Sequence, residues 1–329
     1  MTTPVTLRWL IAHQPQELFV RTAKAFQREL DRTVPGEISI EILTYPEYAE
    51  KYGEIQNLDG LNSFDHTDES QVSIQQGLSA FWQALKNGAV EMSQIQVNRV
   101  GDVCGDFNAL DLPFLFEDHD HVSRVVDGEI GQALCAKLTA ETDVRGLGFT
   151  YSGGYRVIGS NTPIASLDEL QGLKVVVENN TSIGHTLNSM DVPTVVIPPS
   201  LWKKTDPIGQ GIADAIETTY LRFDGKHILK TNHSIFMTTM LVSDLFWDQL
   251  NATQQQAFID AAKKVATLER DWSIQDAEKF EQTAVERGVE IVELSAEQQQ
   301  ILKKRSLMSY FKTKYQFSPD LVKNIRTLH

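Results

Sequence analysis

The sequence predicts a two-domain α/β fold, and three observations carry that reading. VTLRWLIAH, PQELFVRTAKAFQRELDRTV and ISIEILTY follow one another as strand, helix and strand, the signature of parallel α/β architecture. The chain has 329 residues, a length at which two domains are the default. Residues 252–287 contain neither Pro nor Gly, so they read as one helix about 50 Å long at roughly 1.5 Å per residue. A single small domain needs no helix of that length, which implies that it lies across both.

Each element has its own pattern. In the first helix Phe19, Ala23, Phe26 and Leu30 recur at helical spacing, and in the second strand Ile38, Ile40 and Ile42 alternate. Residues 44–75 are polar and irregular, a loop long enough to suggest function. SIQQGLSAFWQALKNGAVEMSQIQ gives a helix closing at Gly88 and a third strand. ALDLPFLFEDHDHVSRVVDGEIGQALCAKLTAE reads as a loop and two helices, with Asp118 or Asp120 placed to cap the first. VRGLGFTYSGGYRVIGS returns to strand, and Gly153 and Gly154 mark a bulge or crossing point. SLDELQG has the capping-box spacing of Ser166 and Glu169 and a closing Gly172, which predicts a short helix before the strand LKVVV. Further on come a helix (TSIGHTLNSM), a strand (PTVVIP), a helix near SLWKKTDP, a short strand in ADAIETTY and another in HSIFMTTM. VEIVEL and SAEQQQILKKRSLMSYFKTKY close the chain as strand and helix. There is no internal repeat and no low-complexity segment.

Composition excludes several function classes. The chain is 41% hydrophobic and 22% charged, ordinary for a globular protein, and its net charge of −14 disfavours nucleic acid or an anionic membrane as a general partner. No apolar run approaches the roughly 18–20 residues needed to cross a bilayer. MTTPVTLRWLIAHQPQ lacks a basic start and is not a signal peptide, so the expectation is either a cytoplasmic protein or a mature chain whose leader has been replaced by Met. Of the two cysteines, Cys135 in GQALCAKL reads as a buried free thiol in a helix rather than as half of a Cys104–Cys135 disulfide.

Motifs of catalysis are missing. There is no GxSxG, HExxH, CxxC or Gly-rich phosphate loop, so no enzyme activity, cofactor or metal is expected. His119 and His121 in EDHDH do not share a helix face and read as a solvated helix start, while Asp65, His66, Asp68 and Glu69 lack calcium-loop spacing. Residues at strand ends are better candidates, because ligands of open α/β sheets lie beyond the carboxyl ends of the strands. They are His13, Gln94, Gln96, Asn179, Asn180 and Glu217 to Tyr220. Arg156, alone in the apolar run YRVIG, needs a partner if buried, either a protein carboxylate or a ligand.

The order of VTLRWLIAH, ALKNGAVEM, LDLPFLF with DHDHVSRVVDG, YSGGYRVIGSNTPIASLDELQGLKVVV, GIADAIE and TNHSIF with LVSDLFWDQL resembles the solute-binding proteins of TRAP transporters, of the dicarboxylate-binding DctP type. The resemblance spans most of the chain. It implies a periplasmic-binding-protein-like fold with a ligand cleft between two α/β domains and a long helix spanning both. The expected division is 1–150 with part of 235–329 for the first domain, 151–234 for the second, and 252–287 for the helix. It further implies a periplasmic, monomeric protein without catalytic activity that delivers a small organic ligand to membrane permease subunits. An orphan or sensor-feeding binding protein, or an enzyme on the same scaffold, are the alternatives.

By resemblance the ligand residues are Arg156, Asn179, Glu217 and Thr218, joined by Gln96, His13, Trp202 and Tyr220. The family's more consistent arginine falls at Val176, its proline at Glu178, and the aromatic of its next motif at Pro199, with Trp202 close by. Loss of a bidentate arginine removes the strong element of a carboxylate clamp. The expected ligand is therefore a neutral polar compound, or a monocarboxylate held by Arg156 alone, unless Lys203 or Lys204 restores the charge.

Overall fold

In the computed structural model, residues 4–11, 16–53, 81–178, 182–197, 205–220, 223, 225–312 and 317–328 are described. The N-terminal reading holds. β1 (Val5–Ile11) and β2 (Ile38–Thr44) pair in parallel across the crossover helix α1 (Gln16–Thr33), and β3 (Met92–Gln96) adds to the other side of β1. Thr44 and Glu47 form a capping box with Pro46 in the first turn, so α2 (Tyr45–Tyr52) replaces the start of the expected long loop. Residues 54–80, with Asp65, His66, Asp68 and Glu69, lie outside the described part. The chain is helical again over 81–86 and turns at Gly88, whose φ is +68°.

After β3 come a single turn, α3 (Val97–Val100), and a 3-10 helix over Gly105–Asp111. They lead to α4 (His119–Asp127), whose His121 N–H is capped by Asp118 Oδ1 at 2.7 Å, and then to α5 (Glu129–Thr142). The solvated reading of EDHDH is corrected here. His121 is buried, with Nε2 2.8 Å from the Ile325 carbonyl, and His119 packs on the rings of Tyr151 and Tyr155. Both cysteines are free thiols.

The central element is β4 (Val144–Ser160), a 17-residue strand that runs through both halves of the sheet. Its first part pairs antiparallel with β9 (Ile235–Ser243). Its last part pairs antiparallel with β7 (Ala215–Thr219) and β8 (His227–Lys230). A register shift between Tyr151 and Tyr155 separates the two parts, where Gly153 and Gly154 take φ of +98° and +74°. β5 (Val175–Val177), α6 (Ser182–Asn188) and β6 (Thr194–Val196) complete a strand order of β2-β1-β3-β9-β4-β7-β5-β6, with β8 on β4 and β10 (Glu290–Glu293) on β8. The four-residue strand β8, HILK, is too short to show a period and was not anticipated. SLDELQG yields only a 3-10 turn, Asp168–Leu170: seven residues are too few to offset helix nucleation, and Gly172 N–H is taken by the Asp191 carbonyl at 2.8 Å.

After a single turn, α7 (Asp244–Trp247), the long helix is continuous as α8 (Ala252–Glu286), opened by an Asn251/Gln254 capping box. Its N-terminal half packs on α1 and β1, with Phe258 edge-on to Phe26 at 5.4 Å and Phe26 edge-on to Trp9 at 5.4 Å. Further along, Glu269 Oε2 accepts the Tyr151 N–H at 2.7 Å, Ser273 Oγ accepts the Gly153 N–H at 3.0 Å, and Ala277 faces Gly154. One stripe of the helix, spaced by four, thus lines the bulge and accepts two of the backbone N–H groups at it. Lys230 of β8 reaches Glu281 at 2.7 Å, so the helix touches both halves of the sheet. α9 (Ala296–Lys312) and α10 (Pro319–Thr327) end the chain. Among the described residues no helix is long and apolar enough to cross a membrane.

Candidate functional site

The β-branched run VVV, buried on both faces, ends at β5 with Glu178, and β3 ends at Gln96. The Gln96 side-chain amide donates to Glu178 Oε2 at 3.2 Å, and both residues are buried, so the carboxyl ends of two strands from different halves of the sheet meet there. Arg156 arrives from β4, two residues after the Gly-Gly bulge, with its backbone N–H fixed to the Ser234 carbonyl at 2.8 Å. Its Nε and Nη2 fork onto the two oxygens of Glu217 in β7, Glu178 Oε2 lies 3.6 Å from Nη2, and the guanidinium stacks 4.8 Å over the Phe236 ring. The lone arginine of YRVIG therefore has protein carboxylates as its partners.

A second layer holds Glu217. His233, in the connection between β8 and β9, places Nε2 3.1 Å from Glu217 Oε1 and Nδ1 2.8 Å from Thr231 Oγ1. With the hydrogen on Nε2, the ring donates to the carboxylate and accepts from the Thr231 hydroxyl. Asp111 closes the group from the end of the 3-10 helix, its carbonyl accepting from Ser182 Oγ at 3.3 Å.

The electrostatics follow from this crowding. Burial works against the Arg156 charge, but Glu217, with Glu178 and Asp111 beyond it, outweighs burial and holds the guanidinium above its ordinary value. Burial likewise favours a neutral Glu217, yet Arg156 and His233 pull that carboxyl well below the usual range. Asp111 goes the other way: burial, aided by Glu217 and Glu178 and opposed by Arg156, pushes it up to about 7.

Arg156, Gln96 and Glu217 are thus brought together. Strand register places other candidates on the opposite face. Arg156 pairs with Thr219 and Ile158 with Glu217, while Val157 pairs with Thr218 and Val176 with Ile216. Because side chains alternate, Arg156, Glu217 and Thr219 share one face, and Thr218 and Val176 the other. Val176 sits in an apolar cluster with Ala213, Ile216, Ile197, Ile208 and Phe223, and Tyr220 packs on Val157 and Ile228. Gln94 donates to Thr150 Oγ1 at 2.9 Å. His13, Asn179, Asn180, Trp202, Lys203 and Lys204 lie outside the described residues. Thr219 falls within the strand-end run Glu217 to Tyr220, whereas sequence reasoning missed Asp111 and His233. His233 stands in TNHSIF and Asp111 in LDLPFLF, both quoted for the resemblance, but nothing local marks them as charge partners of a residue far away in sequence.

A family model described as DctP, bacterial extracellular solute-binding protein, family 7, matches residues 73–315. The C4-dicarboxylate-binding periplasmic protein DctP of Rhodobacter capsulatus is 27% identical over 226 residues, 66% of this chain and 66% of that protein. Matches to the first four curated relatives cover 57% to 66% of their length, so the chain aligns with less than two thirds of each. A TRAP periplasmic solute binding protein from Pseudomonas putida F1, with bound D-glucuronate, superposes with a TM-score of 0.78 at 21% identity, covering 99% of this chain and 98% of that one. One from Sulfurospirillum deleyianum DSM 6946, with bound succinate, gives 0.76 at 20% identity and covers 100% of both. These likenesses show the two-domain α/β fold, and the family model extends over most of the sequence: the chain belongs to the DctP family of bacterial extracellular solute-binding proteins.

Proposed function

We propose that the protein is the solute receptor of a TRAP-type transporter, acting as a monomer in the periplasm. It captures one small polar organic molecule and hands it to membrane permease subunits. The observation that carries the reading is the meeting of strand carboxyl ends at a buried polar cluster, Gln96, Glu178, Arg156 and Glu217, in a chain of this family. We assign 1–150, with part of 235–329, to one domain and 151–234 to the other, with 252–287 across both. The ligand site then lies between them, with Arg156, Gln96 and Glu217 in its floor and Asn179, His13 and Trp202 as further candidates. Thr218 and Tyr220, on the other face of the sheet, would act through packing. The relatives' printed ligands, C4-dicarboxylate, succinate and D-glucuronate, are acids. This chain differs in having Val176 where the resemblance expects a clamping arginine, and in having Arg156 forked onto Glu217, which favours a neutral polar ligand over a monocarboxylate.

A thermal-shift screen of the purified chain over several hundred metabolites tests the reading. A ligand at 100 times its dissociation constant adds about 2.7 kcal/mol, or roughly 4 °C for a chain of 329 residues. The proposal expects a small class of related hits; the absence of any hit would overturn it.

A further inference from the structure

We infer that the receptor takes a neutral polyhydroxy compound, with one hydroxyl seated on a buried relay of Gln94, Thr150 and Thr238 and another on Thr219. The inference rests on the receptor reading and narrows the class of ligand. Gln94 Nε2 donates to Thr150 Oγ1 at 2.9 Å, and the Thr150 and Thr238 hydroxyl oxygens meet at 2.6 Å. All three side chains are buried. The relay holds four polar hydrogens and makes two hydrogen bonds, so two hydrogens are left over, and Gln94 Oε1 has no partner among the described residues. Turning the amide over changes which atoms are left, but hydrogens are left in either orientation. Buried polar groups without partners are uncommon and costly.

The relay shares a face with the site already described. Thr238 stands directly opposite both Gln96 and Thr150. Phe236, two residues along β9 and so on that same face, lies under the Arg156 guanidinium at 4.8 Å. Thr219 is opposite Arg156 in β7, is buried, and its hydroxyl has no partner among the described residues. At about 3.3 Å per residue and about 4.8 Å between strands, the Thr150 and Thr219 backbones lie about 14 Å apart, a gap closed by their side chains, two hydrogen bonds and a chain of about five or six carbons.

A hydroxyl fits both ends. It donates to Gln94 Oε1, accepts from the hydrogens that the relay leaves over, and can do either at Thr219. A carboxylate only accepts, so it leaves Gln94 Oε1 without a donor, and the guanidinium of Arg156 is already forked onto Glu217. An ammonium only donates, so it leaves the hydrogens of the relay without an acceptor.

The test uses the full chain and matched probes: pentitols, hexitols, inositols and aldohexoses, each beside its sugar acid, as sorbitol beside D-gluconate, with succinate as the acid that lacks hydroxyls. At about 1 mM the general stabilisation that concentrated polyols give is absent. A melting-temperature rise of about 4 °C from at least one neutral compound, as for a dissociation constant of about 10 μM, with no larger rise from its acid, supports the inference. Gln94→Met and Thr219→Val should each lower affinity for that compound at least tenfold, while the unliganded melting temperature stays level or rises, because each removes a buried group without a partner. Should Gln94→Met fail to fold, the near-isosteric Thr219→Val carries the comparison. Unchanged affinity in a folded variant, a sugar acid or succinate binding tenfold more tightly than every neutral probe, or no neutral binder at all overturns the inference and leaves the receptor reading intact. A metabolite screen with no hit of any class overturns both.

Discussion

Glu269→Gln isolates one buried carboxyl of the long helix, and its effect should grow with pH. Glu269 is fully buried, its Oε2 accepts the Tyr151 N–H at 2.7 Å, and its Oε1 has no partner among the described residues. Burial pushes its pKa up to about 8 from the usual 4.5, while the Tyr151 N–H, Arg270 and Arg21 pull more weakly the other way. A carboxyl raised in the folded state contributes its full stability below the unfolded value and loses it as pH rises towards the folded value. At about 1.4 kcal/mol per pH unit, the loss is about 3 kcal/mol by pH 7 and on the order of 4–5 kcal/mol above pH 8. Glutamine keeps an acceptor for Tyr151 and cannot ionise. Urea unfolding of both proteins from pH 5 to pH 9 should therefore show nearly equal stability at pH 5. The variant's advantage should then climb by roughly 1 kcal/mol per unit to about pH 8 and level off. A difference that stays constant with pH, or that favours the parent at pH 8, would refute the reasoning.

Other perturbations read separate parts of the account. Arg156→Met should cost about 3–5 kcal/mol by leaving Glu217 buried and unpaired, and Arg156→Met/Glu217→Leu should recover much of that; chemical denaturation of the two variants measures it. Gly154→Ala places a methyl 3.3 Å from Ala277 at φ +74°, so it should lower stability by about 2 kcal/mol or more. Gly172→Ala, at φ +78° with nothing within 4 Å, should cost only the backbone strain of about 1 kcal/mol. Burial pushes both the Cys104 and Cys135 thiols up to about 12, so a thiol reagent at pH 8 should label neither in the folded chain and both after unfolding.

What the sequence made legible was whatever repeats with a period or carries its own stop signal. The α1 stripe, the Gly153–Gly154 bulge and the unbroken run of α8 all fall in this class. Short elements were not: β8 has four residues, and the turn at Asp168–Leu170 depends on Asp191, well along the chain. Arg156 was readable as a charge needing a partner. Which partner it has depends on β4 and β7 lying side by side, and Glu217 is 61 residues away. Strand alternation, known only once the register is known, also separates Val176 from Arg156, although the two are 20 positions apart in one conspicuous stretch. The resemblance implies half of a carboxylate clamp in that stretch, while the residues alone leave Arg156 a protein carboxylate or a ligand as its partner; the geometry is an arginine already clamped by the protein.

Hydrogen exchange with and without a ligand found by the screen tests the central claim most directly. Protection should concentrate in peptides covering Gln96 to Asp111, the bulge at 151–156, Val175 to Glu178 and Ala215 to Tyr220, the segments that converge on the Arg156–Glu217 pair. Protection confined to other surfaces, with these four segments unchanged under saturating ligand, would contradict the account.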